Sequence, residues 1–346
     1  MAAYFQKVND EGGVNGRKIT FISRDDSFSP PRTVEETRRL VESDGVWAIV
    51  GAFGSSTSKA TQKYLNNKKV PSVLINSGAS AFAELEKSPW SQSFQPTNFD
   101  KGVIYAQYVI KNYPDAKVGI LFQNDDFGRD TVMGFRYALG KRAETTIVKE
   151  LGYEPADPTV DSQLLSLRAA GTTVLLDIAT IKFTAQAIRK LSEMQWKPAH
   201  LISDAAASIQ GVLEPAGLDN SVGVLTQSYR IDPSDPLYTS DTGMREYRAF
   251  MAKYMPTADP LEGLYGMGYQ MAAAFVNLVR LCGNDLSREN LMRQVANIKN
   301  MKNVPLMRPG IEITTSPKHP SLFQQLIIDR FDGKKWVAAS DVLSAR

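Results

Sequence analysis

At 346 residues the chain is long enough for two domains, and its single cysteine and two distant histidines exclude a disulfide framework and leave little support for a zinc site or a Ser–His triad. The net charge of +3 is dispersed, with Arg38-Arg39 close to Glu35-Glu36, so there is no basic block of the kind that grips nucleic acid. No apolar run approaches the roughly 20 residues of a membrane span, and the opening MAAYFQKVND contains no apolar leader segment.

Residues 2–9 read as a helix with Tyr4, Phe5 and Val8 on one face. A Gly-rich turn over 11–16 leads into 18–23, which alternates like a strand. Pro30-Pro31 then opens a helix over 32–43 at the position proline favours. Residues 46–50 and 70–75 are short apolar runs with a helical stretch, 59–66, between them. That is a βαβ unit with parallel strands. Each run ends in a loop of Gly and hydroxyl residues: Gly54-Ser55-Ser56-Thr57-Ser58 after the first, Ser77-Gly78-Ala79-Ser80 after the second. Ligands of open α/β sheets sit at such carboxyl ends. Free N–H groups, hydroxyls and helix N-termini there suit a small anion such as a carboxylate. The alternative is that these hydroxyls are only helix caps. One cap per loop would meet that need, and four hydroxyls in 55–58 exceed it.

The strand–helix alternation then repeats. Helices are expected at 98–113, 129–141, 162–170 and 183–194, and strands at 117–122, 145–151, 173–178, 200–203 and 222–226. The repetition predicts an α/β fold of two similar doubly wound, Rossmann-like lobes. A Pro- and Asp-rich linker, 231–236, marks a boundary. Helices at 243–254, 261–282 and 287–295 follow, the last with Ser287 as N-cap. Strands at 309–315 and 324–330 and a hairpin through Asp332-Gly333 to 335–337 end the pattern. A lobe that starts on a helix lacks one strand. A gap or a foreign strand is therefore expected in the first sheet, and roughly 30 further residues, a βαβ unit's worth, before Met1.

Signals for catalysis are weak. Gly51-Ala52-Phe53-Gly54 lacks the G-x-G-x-x-G spacing of a dinucleotide site, and Gly263-Leu264-Tyr265-Gly266-Met267-Gly268 lies on a helical stretch where close packing explains it. Asp25-Asp26 and Asp125-Asp126 read as caps and turns. The expectation is a binding protein, not an enzyme, with no cofactor and no metal.

Several stretches match one known pattern in order along nearly the whole chain. They are Tyr4-Phe5 through Asn9 with Glu11-Gly12-Gly13-Val14-Asn15-Gly16-Arg17, then Val50-Gly51-Ala52-Phe53-Gly54-Ser55-Ser56-Thr57, Ser77-Gly78-Ala79-Ser80, Asp126-Phe127-Gly128 and Ala187-Ile188-Arg189. Gly283-Asn284-Asp285-Leu286-Ser287-Arg288-Glu289-Asn290-Leu291 and Phe331-Asp332-Gly333 complete the series. With these the chain resembles the type I periplasmic substrate-binding proteins of branched-chain-amino-acid ABC transporters, the leucine/isoleucine/valine receptor family. The resemblance implies one lobe from 1–98 plus 230–312 and another from 99–229 plus 313–346. Three crossovers, near Asn98, Tyr229 and Ile313, would join them, and the lobes would close on a ligand by hinge motion. It also implies a monomer in the periplasm or on the extracellular face of the membrane, with transporter permease subunits as partners.

By the same resemblance, Ser55, Gly78, Ala79 and Ser80 hold the ligand carboxylate and Phe127 packs on the ligand from the second lobe. Ser56, Ser77, Thr180, Asp204 and Ala205 complete the candidate site. The chain departs from the family in two places. The acid that holds a ligand ammonium would fall near Ala205, where Asp204 is the only acid. An aromatic before the matching second-lobe helix is replaced by Ala179-Thr180. Both departures favour an aromatic or branched carboxylic acid. A branched-chain or other amino acid, and a ligand-sensing regulatory role, stand as alternatives.

Overall fold

The structure, a computed structural model, describes residues 1–345. Helices α1 (Ala2–Asp10) and α2 (Pro30–Arg38) precede a three-stranded parallel sheet of β1 (Ile49–Val50), β2 (Ser72–Ile75) and β3 (Ser91–Ser93), in that order. Helix α3 (Ser55–Lys68) joins β1 to β2, so the expected βαβ unit is present. All four residues of β2 are buried, as a strand covered on both faces requires.

Helices α4 (Asn98–Asn112) and α5 (Asp126–Leu139) lead into the second sheet. It contains β4 (Val118–Gln123), β5 (Ile147–Tyr153), β6 (Val174–Ile178), β7 (Ala199–Ile202), β8 (Leu225–Ser228), β9 (Gln325–Phe331), β10 (Trp336–Ala338) and β11 (Leu343–Ser344). The order is β10-β9-β8-β7-β6-β4-β5, with β11 on β9. Strands β4 to β8 are parallel, and β9 is antiparallel to β8. The fold is thus two α/β lobes, one per sheet.

The lobes are unequal. Residues 18–23 were expected to form a strand, but they run without a ladder partner among the described residues. A cavity of about 790 Å³ lies between residues 18–24 and residues 46–53. The cavity borders β1, the outer strand of the first sheet. The strand expected at 309–315 is reduced to a single bridge, Ile313 to Phe323.

Three chain segments run between the sheets, and an aromatic residue from each of two of them meets an aromatic of the third. Phe94 follows β3, Tyr229 follows β8, and Phe323 precedes β9. The Phe94 and Phe323 rings lie edge to face with centroids 5.0 Å apart, and Tyr229 lies 4.5 Å from Phe323. All three are buried. Beside them, Arg230 bridges to Met307, and the Arg308 N–H donates to the Tyr229 carbonyl at 3.1 Å.

Helices α4 and α5 pack closely because each carries a glycine at the crossing. A Cβ on Gly102 would come within 2.0 Å of the Thr131 carbonyl oxygen, and one on Gly134 within 1.9 Å of that of Phe99. This contact fixes how the first turn of α5 is presented to the opposite lobe.

Candidate functional site

The two hydroxyl-rich loops of the first lobe meet. Helix α3 begins at Ser55 with Gly54 as its N-cap, so no side chain caps it. Instead of capping, the Ser55 hydroxyl lies 2.7 Å from the Ser77 hydroxyl. Ser77 Oγ in turn accepts from the Ala79 N–H at 3.1 Å. Thr57 turns its hydroxyl back to the Phe53 carbonyl, while Ser56 is exposed at the helix start. Capping therefore does not explain Ser55. Gly78 has a local structural role: its carbonyl accepts from the Asn98 N–H at 2.6 Å, and a Cβ would lie 2.3 Å from Asn98 Oδ1. Ser80 opens a short turn, Ser80–Phe82.

The second lobe faces these loops through the N-terminus of α5. Asp125 caps that helix, accepting from the Phe127 and Gly128 N–H groups at 2.9 and 3.3 Å. Asp25 and Asp26 likewise accept from the backbone of Ser27 and Phe28. Asp25, Asp26 and Asp125 are turn and cap groups, as their position after extended segments predicts. Phe127 sits half-buried in the first turn of α5. One helical turn apart, Asp126 and Asp130 reach across to the first lobe. Asp126 pairs with Lys59 of α3, and Asp130 Oδ2 accepts from the Ser80 N–H at 2.8 Å. Burial pushes the Asp130 carboxyl above its ordinary range, and the Ser80 hydrogen bond pulls it back.

Thr180 stands at the N-cap of the helix Ile181–Glu193, and its N–H donates to the Tyr153 hydroxyl at 3.1 Å. Tyr153 also reaches Gln123 Oε1 at 3.2 Å, and burial raises its phenol pKa. Tyr153 thus supplies an aromatic beside Thr180, from the end of β5 rather than from the position before the helix.

Asp204 is held by a residue the sequence reading missed. Lys101 Nζ lies 2.9 Å from both carboxylate oxygens, with the two side chains 4% and 11% exposed. Lys101 also donates to Gln95 Oε1 at 3.1 Å, and Gln95 bonds Asn76. The Gln227 amide donates to the Lys101 carbonyl at 2.7 Å. A buried polar chain therefore runs from the end of β2 to the end of β7. Its signal was present in the sequence: Lys101 precedes Ile104 and Tyr105 by three and four residues, so it lies on a face that is otherwise buried.

The candidate residues fall into two groups. Ser55, Ser77, Gly78, Ala79 and Ser80 form one cluster facing α5. Asp204 and Ala205 line a separate cavity of about 310 Å³, together with Ile181, Arg308, Asp329 and Trp336. At its far wall Arg308 pairs with Asp329 at 2.6 Å, both buried. A further cross-lobe contact, from the Gln210 amide to Asp259 Oδ2 at 2.8 Å, lies on this side. The lobes therefore touch on both flanks.

A family model described as periplasmic binding protein matches residues 1–332. The Leu/Ile/Val-binding protein homolog 8 of Brucella abortus (strain 2308) is 25% identical over 260 residues, covering 72% of this chain and 63% of that protein. A solved branched chain amino acid ABC transporter protein from Thermus thermophilus, with bound valine, superposes with a TM-score of 0.85 at 16% identity, over 99% of this chain and 90% of that one. A solute binding protein from R. palustris in complex with 4-hydroxybenzoate superposes with a TM-score of 0.80 at 16% identity, over 99% and 91%. The two solved structures share the fold, and the match over residues 1–332 establishes the lineage: the chain belongs to the periplasmic binding protein family.

Proposed function

We propose that this chain is a solute-binding protein working outside the cytoplasmic membrane. It captures a small aromatic or branched carboxylic acid between its lobes and presents the closed form to the permease of an ABC transporter. Ser55 and the N–H of Ser80 hold the carboxylate, with Ser56, Ser77, Gly78 and Ala79 shaping the cradle. Phe127 and Thr180 close over the remainder from the second lobe, and Ala205 lines the neighbouring cavity. The lobes divide at Asn98 and at Tyr229. The third crossing is drawn at Phe323, beyond Ile313, because Thr315 and Leu322 still donate to Ile298 and Ser93 of the first lobe. A ligand shifts the hinge only by its differential affinity for the closed form.

The observation that carries this reading is the Lys101–Asp204 pair. A buried ammonium without an acid would cost several kcal/mol. Asp204, the acid nearest the position that would hold an ammonium, already has both oxygens on Lys101, and Asp329 in the same cavity is paired with Arg308. Hydroxyls and amide N–H groups, by contrast, hold an anion without a buried cation. The 4-hydroxybenzoate bound by the R. palustris neighbour is an acid of the proposed kind. Calorimetry on matched pairs, phenylpropionate against phenylalanine and 4-methylvalerate against leucine, tests the reading. Binding of a plain acid in preference to its zwitterion is expected. A second reading, an α-amino acid ligand, is favoured by the Leu/Ile/Val-binding relative and the valine-bound neighbour. Binding of the zwitterions alone would establish it in place of the first.

A further inference from the structure

One carboxylate already occupies the proposed anion position. Asp130 Oδ2 sits 2.8 Å from the Ser80 N–H, the donor that the proposed function gives to the ligand. Asp130 belongs to the second lobe, so this bond spans the cleft. It does not stand alone: Asp126, four residues earlier on the same face of α5, pairs with Lys59 across the same cleft. The α4–α5 crossing at Gly102 and Gly134 leaves α5 little freedom to withdraw these side chains independently of the lobe. The Ser77 hydroxyl is committed to Ser55 and to the Ala79 N–H, which leaves the Ser80 N–H as the donor at the mouth of the cradle.

We propose that Asp130 is an internal counter-ligand: it holds the empty cleft closed through the Ser80 N–H, and an incoming carboxylate takes its place. The inference rests on the carboxylate reading of the site. One anion replaces another at the same donor, so the number of hydrogen bonds to Ser80 does not change on binding. The net affinity must then come from the Ser55 hydroxyl and the rest of the ligand. A small anion without an apolar body gains only the Ser55 contact, and an acid that fills the space against Phe127 gains more. Asp130 thereby sets a threshold on ligand size as well as on affinity. A latched protein also binds more weakly than an unlatched one, because only the fraction with Ser80 free is competent.

Small-angle scattering and calorimetry on the wild type, Asp130→Ala and Asp130→Asn test this. The asparagine variant keeps the shape and an uncharged acceptor, so it guards against a folding defect in the alanine variant. Without ligand, Asp130→Ala is expected to have a larger radius of gyration than the wild type, with Asp130→Asn between them. For phenylpropionate or 4-methylvalerate, whichever binds the wild type, Asp130→Ala is expected to tighten binding by about tenfold, the scale of one hydrogen bond to a charged group. An unchanged ligand-free radius in both variants would overturn the proposal, as would weaker acid binding in Asp130→Ala. If neither acid binds any form, the carboxylate reading fails while the scattering result still decides whether Asp130 latches the cleft.

Discussion

Lys101 stands where the helical pattern of α4 calls for an apolar side chain, and its partner lies 103 residues away. Its position on a buried face was legible, but the pairing was not, because nothing local to either residue encodes the other. Asp130 was missed for a related reason. On α5 it reads as an ordinary polar position, and only the approach of the opposite lobe gives it Ser80 as a partner. Ser55, Ser77 and Ser80 were legible because Gly and hydroxyl density at a strand end is a local signal. Lys101→Met should leave the Asp204 carboxylate buried without its cation and cost about 3 kcal/mol of stability, read as a lower urea midpoint at unchanged slope. The double variant Lys101→Met/Asp204→Leu should recover most of that loss, since removing both charges removes the uncompensated one. A double variant no more stable than the single one would show that the pair is not the cause. Ser55→Ala should weaken acid binding by about 1–3 kcal/mol without a comparable change in stability, as measured by calorimetry.

Among the elements, buried parallel strands were the most legible, since β2 and β4 are largely apolar runs ending in polar loops. Residues 18–23 show the limit. Alternation gives a segment strand character, but a ladder needs a neighbour, and here a cavity takes that neighbour's place. Between β6 and β7, Asp177 and His200 form a buried pair at 3.0 Å. Burial raises the Asp177 pKa despite His200. A carboxyl with a raised folded-state pKa contributes stability that is fully present below its unfolded value, and that contribution is lost as pH rises through its folded value. Asp177→Asn should therefore gain on the wild type as pH climbs above the ordinary carboxylate value of about 4. Thermal melts at each pH would show this as a widening difference, and a constant difference would count against it. At the inter-lobe segments, Phe323→Ala removes the ring that both Phe94 and Tyr229 touch. It should cost about 3–5 kcal/mol in denaturant unfolding, and a loss under 1 kcal/mol would mean that the aromatic contact adds little beyond surface burial.

At the scale of the molecule, two unequal α/β lobes meet on both flanks of their cleft, through Ser80–Asp130 and Lys59–Asp126 on one side and Gln210–Asp259 on the other. Strand–helix alternation along the chain was enough to anticipate two lobes. It could not anticipate which side chains would touch across them, because those contacts depend on how the two lobes are juxtaposed. The central claim is that a plain carboxylate is held by the first lobe's hydroxyl-rich loops. A crystal structure grown with the tighter-binding of phenylpropionate and 4-methylvalerate tests it most directly. A carboxylate oxygen is expected within hydrogen-bond distance of Ser55 Oγ and the Ser80 N–H, with Asp130 displaced and Lys101 still on Asp204. A ligand seated instead in the cavity beside Arg308 and Trp336, with Asp130 still on Ser80, would contradict it.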